Sequence, residues 1–133
     1  MTAREFDRVV ERAIAAIPPA FRARIENLAF VVEQEPPRRG LLGLYEGRPL
    51  TMRSVAHSFA TPDRITVYQG PHERMARDEA ELERMVRDTV WHEVAHYFGM
   101  NEPQVQRAEK RRASAGDALE AAKRRRRRNN LLS

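Results

Sequence analysis

The chain has 133 residues and a net charge of +5. Its length is enough for one small domain with a modest core. It contains no cysteine, which excludes disulfide bonds, thiolate zinc sites and cysteine catalysis. No apolar run approaches the roughly 18 residues that a membrane span needs, and the charged N-terminal segment does not resemble a signal peptide. We therefore expect a cytoplasmic protein without a membrane partner.

The positive charge is concentrated at the C-terminal end of the chain. Ten of the 24 Lys and Arg residues but only three of the 19 acidic residues lie in residues 107–133, so the rest is slightly acidic. We predict a folded domain over residues 1–112 and a basic, partly disordered tail over residues 113–133. An unbroken basic block in this tail is either solvated or suited to non-specific contacts with nucleic acid or another polyanion. Its residues are Lys123, Arg124, Arg125, Arg126, Arg127 and Arg128.

The first half of the chain predicts a helix followed by two strands. Apolar residues recur at helical spacing over residues 3–17, and Pro18-Pro19 ends that helix. Residues 28–32 form a compact β-branched run that favours a strand. Residues 41–47 predict a second strand or hairpin arm, because glycines punctuate them. Residues 48–62 have weak periodicity and predict mostly loop.

The second half predicts one more strand and then helices. Residues 64–69 alternate between apolar and polar side chains, as a strand does. Asp78 and Glu81 form a capping pair for a long helix with a continuous apolar stripe, and Gly99 ends it. A last helix is expected from residue 103 to about residue 112. The order of helix, strands and helices indicates an α+β fold without repeats.

The long helix ends in the pattern H-E-x-x-H-x-x-G-x-x-E, which starts at His92. Residues four apart lie on one face of a helix, so His92 and His96 can present two imidazoles to one metal ion. Glu93 lies beside them, where a carboxylate can accept a proton from a metal-bound water. The alternative is a surface helix with two exposed histidines. The position of the pattern on a long helix that follows strands favours the metal site.

A third metal ligand is expected shortly after this helix. Gly99 allows a sharp turn, and Glu102 lies six residues beyond His96, where such a turn would return it to the metal. Glu102 could instead only offset the dipole of the following helix. Glu109 and Glu120 are further carboxylates that could take the same role.

These residues resemble the signature of metzincin peptidases with glutamate in place of the third histidine. The chain departs from metzincins because Met100 is its last methionine, so no methionine turn follows. Together with residues 42–47, 63–65 and 89–93, the pattern is similar to a family of very small bacterial zincin-like metallopeptidases. The resemblance covers roughly residues 5–110, judged by the positions of the motifs. It implies a minimal zincin-like fold, in which a short sheet packs on the long helix between N-terminal and C-terminal helices.

The resemblance also implies zinc-dependent hydrolysis of a peptide or protein substrate, with Glu93 as the general base. The competing hypothesis is a binding module in which zinc is structural and the Arg-rich tail contacts nucleic acid or another polyanion. In zincins an edge strand aligns the substrate backbone, and residues 64–69 are a candidate for that strand. The alternative is an ordinary core strand with Ile65 and Val67 facing inward. Tyr97 points about 100° away from the metal face, so it suits oxyanion binding less well. Other candidates for that role, by chemistry alone, are Tyr45, His57, Tyr68 and His72. The alternative for each of them is a structural or surface role, which is the commoner one for such residues.

Overall fold

The computed structural model describes residues 1–47 and 62–100 together with Arg107, and these residues form an α+β fold. The expectations for the loop at 48–61, and for the last helix and tail apart from the helical Arg107, lie outside them. In chain order the elements are α1 (Ala3–Ala15), α2 (Pro19–Arg22), β1 (Leu28–Glu33), β2 (Gly43–Glu46), β3 (Asp63–Tyr68), α3 (Gln69–Met75) and α4 (Glu79–Tyr97).

Helix α1 confirms the predicted N-terminal helix. Thr2 caps it, because the Thr2 hydroxyl accepts from the backbone N–H of Glu5 at 3.1 Å. The Glu5 carboxylate accepts in return from the backbone N–H of Thr2 at 3.3 Å, which completes a capping box. The apolar face of the helix packs against α4 and is buried at Phe6, Val9, Val10 and Ala13.

The three described strands form one mixed sheet in the order β1-β3-β2. β1 runs parallel to β3, and β2 runs antiparallel to β3. The interpretation of residues 64–69 as a substrate-aligning edge strand is therefore wrong, because β3 has a partner on each side. The alternative of an ordinary core strand is confirmed, since Ile65 and Val67 are buried. The alternation of side chains marks which face of a strand is buried and says nothing about its neighbours in the sheet. Among the described strands, β2 takes the edge position on that side.

Helix α3 follows β3 without a connecting loop, and the sequence did not predict it. The strand ends before Gly70 and Pro71, as expected, but both residues lie in the first turn of the new helix. A proline is tolerated there because the first N–H groups of a helix have no acceptor within the helix. The Gly70-Pro71 pair therefore marks both the end of β3 and the start of α3.

Helix α4 confirms the predicted long helix, including both of its ends. The Asp78 carboxylate accepts from the backbone N–H of Glu81 at 2.8 Å. At the other end, Gly99 has a φ of 81°. The Gly99 N–H donates to the His96 carbonyl and the Met100 N–H donates to the Ala95 carbonyl, which is a Schellman motif. The last turn of α4, which carries His96, therefore has a defined geometry.

The core lies where α1, α4 and the sheet meet. Phe6 from α1, Ile65 from β3 and Val86 from α4 are completely buried within it. Burial of such side chains supplies most of the driving force for folding. Within the described part of the chain, the helices are all too short or too polar to cross a membrane.

Candidate metal centre

His92 and His96 meet on one face of α4, one turn apart. Their Nε2 atoms are 3.2 Å from each other, and both side chains are half-buried. Two nitrogens held by one tetrahedral zinc ion are about 3.3 Å apart, since each lies 2.0–2.1 Å from the metal. An N–H···N hydrogen bond between the rings would give a similar distance. A carboxylate beside the two rings would favour the metal ion over the hydrogen bond.

The carboxylate of Glu93 lies beside the two imidazoles. One ligand atom from each of His92, Glu93 and His96 lies within 4.8 Å of the other two, so the three side chains could hold a metal ion together. Glu93 is only 9% exposed. A carboxylate this well buried beside two imidazoles is unusual on a surface helix, which favours a built metal centre.

Gly43 allows the sheet to approach Glu93 closely. A Cβ atom placed on Gly43 would lie 3.2 Å from Cγ of Glu93 and 2.6 Å from Cγ2 of Thr89. It would also lie 3.3 Å from the carbonyl oxygen of Thr66 on β3. Strand β2 can pack on this part of α4 only because residue 43 has no side chain. The sequence showed Gly43 as part of a glycine-bracketed strand and gave no sign of this contact.

His72 is buried behind the centre and is no candidate for oxyanion binding. Its Nδ1 lies 2.6 Å from the carbonyl of Tyr68, and its Nε2 lies 2.9 Å from the hydroxyl of Thr89. Because a carbonyl only accepts, Nδ1 carries the proton, and Nε2 of the neutral ring accepts from Thr89. Burial lowers the pKa of His72 below its ordinary value of 6.5, although the bond to Tyr68 opposes this shift. The neutral ring therefore links α3 to α4.

We expect His72 to make the fold less stable as the pH falls below about 6.5. The unfolded chain then gains a proton that the buried ring resists, so the free energy of unfolding drops by up to about 1.4 kcal/mol per pH unit until the folded-state pKa is reached. His72→Asn keeps an N–H for Tyr68 and does not titrate. Denaturant unfolding of the metal-free protein between pH 5 and 8 should give a free energy of unfolding that changes less with pH in His72→Asn than in the wild-type chain. An equal pH dependence in the two proteins would contradict a buried neutral His72.

Two of the tyrosines proposed for oxyanion binding have structural partners. The Tyr45 hydroxyl donates to the Asp63 carboxylate at 2.5 Å. The Tyr97 hydroxyl donates to the backbone carbonyl of Glu26 at 2.7 Å and accepts from the backbone N–H of Glu26 at 2.8 Å. Tyr97 thus points away from the metal face, as its helical position predicted. These contacts place both hydroxyls in the packing of the fold.

Tyr68 is the remaining tyrosine candidate, and it is almost completely buried at the end of β3. Burial raises the pKa of its phenol, and the negative charges of Glu33, Glu46 and Glu93 add to this effect. Its hydroxyl therefore keeps its proton at neutral pH and can donate a hydrogen bond. Its role at the oxyanion stays a prediction.

Several predicted functional residues lie outside the described residues. They are the candidate oxyanion residue His57, the expected third ligand Glu102, the alternative ligands Glu109 and Glu120, and the basic block Lys123–Arg128. Their roles stay predictions. The structure brings together the two histidines and the glutamate that the motif singled out.

A match to a protein-family model agrees with this geometry. A family model described as zincin-like metallopeptidase matches residues 25–112, which include all of the metal centre. A conserved hypothetical protein from Thermo thermophilus is similar, with 26% identity over 74% of this chain and 94% of that chain and a TM-score of 0.49. No curated protein matches the chain at a significant level.

Proposed function

Because this chain belongs to the zincin-like metallopeptidase family, we propose that it is a zinc-dependent peptidase that cleaves peptide bonds with Glu93 as the general base. His92 and His96 would hold the metal ion, and Glu102 would supply the third ligand. Three protein ligands would leave room at the metal for water and substrate, as catalytic zinc sites do. The family implies a metal ion, and a set of nitrogen and oxygen ligands without cysteine suits zinc.

Zinc, when bound, supplies a Lewis acid that polarises the scissile carbonyl and makes a water molecule more acidic. The Glu93 carboxylate accepts the proton of the attacking water and passes it to the leaving amine. The protein's own contribution is therefore the position of Glu93. Its stem rests against β2 at Gly43, which limits the directions in which the carboxylate can point.

One observation carries this proposal: the Nε2 atoms of His92 and His96 lie 3.2 Å apart, with a buried carboxylate in the same group. A structural metal site needs ligands only. With Glu102 as the third ligand, the Glu93 carboxylate beside the two histidines is the base that hydrolysis requires.

Metal removal tests this proposal. We expect the purified chain to bind one zinc ion and to cleave members of a peptide library, to lose cleavage in a chelator, and to regain it when zinc is restored. Glu102→Ala should weaken zinc binding by more than the roughly 10- to 100-fold that the loss of a residue supporting a ligand costs, without unfolding the chain. Metal content by mass spectrometry and product analysis of the library give both results. Stoichiometric zinc without any cleavage would leave the site structural and refute the peptidase.

A second function depends on the basic block Lys123–Arg128. Such a block suits contacts with phosphates that weaken steeply as the salt concentration rises. In that alternative the zinc site only stabilises a module that binds nucleic acid or another polyanion. The metal-removal experiment separates the two functions, because a binding module would retain zinc and cleave nothing.

A further inference from the structure

An open groove lies at the end of β2 that is nearest to Glu93. It has a volume of about 470 Å³, which is in the range of small-ligand sites. One wall is the segment Glu35–Gly40 that precedes β2, and the other is the exposed side of α3, with Pro71, Arg74 and Met75. Met75 is 61% exposed there, so the groove offers apolar surface to a ligand.

The groove is positively charged. Three arginines, Arg38, Arg39 and Arg74, line it together with one carboxylate, that of Glu35. Arg74 neutralises Glu35 through two hydrogen bonds of 2.7 and 2.9 Å, and this pairing lowers the pKa of Glu35. Arg38 and Arg39 form no ion pair with any residue that the structure describes. Two guanidinium groups therefore remain available for carboxylates.

The segment that carries these arginines is anchored directly before them, at Gln34 and Glu35. The Gly70 N–H donates to the Gln34 carbonyl at 2.8 Å, and the Glu35 side chain packs over Gly70, where a Cβ atom would lie 2.2 Å from Oε1. Pro36 and Pro37 fix their own φ angles directly before Arg38. A ligand therefore meets a segment that has already lost much of its conformational freedom, which favours binding.

The groove and the candidate metal centre lie next to each other at the start of β2. Leu42 lines the groove, and the next residue, Gly43, is the one that contacts Glu93. One step along a strand is about 3.3 Å, so a peptide that lies beside β2 reaches the groove within a few residues of Glu93. Resting on the proposed peptidase function, we propose that this groove binds acidic side chains of the substrate and makes the enzyme selective for acidic peptides.

The test uses two pools of fluorescein-labelled peptides. Each pool has a varied apolar centre, flanked two to four residues away by Glu-Glu in one pool and by Gln-Gln in the other. Binding is measured by anisotropy with the zinc-loaded full-length Glu93→Gln chain, and cleavage with the wild-type chain. We expect a preference of roughly tenfold for the glutamate pool that weakens as salt rises. Arg38→Gln/Arg39→Gln should lower this ratio severalfold, to the preference that the basic block alone contributes.

The matched control is Arg4→Gln/Arg8→Gln on α1, which removes the same charge from exposed positions and should keep the preference. The basic block is present in every variant, so its attraction for acidic peptides cancels. An equal preference in both double variants would overturn the proposal. The proposal would also be overturned if a single-stranded oligonucleotide displaced the peptide and its binding were lost only in Arg38→Gln/Arg39→Gln. The groove would then select phosphates.

The same data keep the groove and the peptidase distinguishable. Selective binding that depends on Arg38 and Arg39, without cleavage of either pool, would support the groove and refute the peptidase. Cleavage of both pools at equal rates would support the peptidase and refute the groove. Absence of both binding and cleavage would refute both.

Discussion

Replacing Glu93 by glutamine is expected to lower peptide cleavage by roughly 10²–10⁴-fold and to leave zinc bound and the fold intact. Glutamine has nearly the same shape, so it fits between α4 and Gly43 where Glu93 is now buried. It cannot accept the proton of the attacking water. Cleavage rates and metal content, measured on the same preparation, give the result.

The matched control for this variant is Glu83→Gln on the same helix. Glu83 pairs with Arg12 on the surface and lies outside the metal centre. Its replacement should leave cleavage unchanged, since a surface ion pair contributes only about 0–1 kcal/mol to stability. If Glu93→Gln cleaved at the wild-type rate, Glu93 would not be the base. If it lost zinc, Glu93 would be acting as a ligand.

Replacing Gly43 by alanine is expected to destabilise the fold and to impair the centre together. The new Cβ would lie 2.6 Å from Cγ2 of Thr89 and 3.2 Å from Cγ of Glu93, so β2 and α4 must move apart. Overpacking of this kind costs about 1–3 kcal/mol. A displacement of the base by about 1 Å would lower cleavage roughly 10²-fold. Denaturant unfolding and initial cleavage rates measure the two effects separately.

Thr89→Ser provides the compensating change for this variant. Serine lacks Cγ2, the atom nearest to the new Cβ, and keeps a hydroxyl that can bond to His72. The double variant should therefore recover much of the lost stability, while the contact with Glu93 keeps cleavage low. Additive losses in the Gly43→Ala, Thr89→Ser and double variants would mean that these two residues do not meet as described.

The features that could be predicted from the sequence are those that local chemistry determines. The two ends of α4 follow from Asp78, Glu81 and Gly99, because caps act within one turn of a helix. The convergence of His92 and His96 follows from their spacing of four residues. The motif thus contained enough information to place three groups of the metal centre on one turn.

The features that could not be predicted depend on contacts between distant segments. The central position of β3 comes from pairing with β1 and β2, and an alternating pattern is compatible with an edge or a centre. The bond from His72 to Thr89 joins two helices, so the sequence could mark His72 only as one of several oxyanion candidates by chemistry. Gly43 looked like an ordinary glycine of a predicted strand, because the atoms that exclude a side chain there belong to α4 and β3.

The two hydrogen bonds of the Tyr97 hydroxyl give the metal centre a fixed orientation. Both bonds go to the backbone of Glu26, just ahead of β1, so the last turn of α4 cannot rotate about the helix axis without breaking them. His96 belongs to that turn, and its imidazole therefore faces His92 before any ligand arrives. The side chains of the site are therefore ordered during folding, which reduces the conformational entropy that is lost when a metal ion binds.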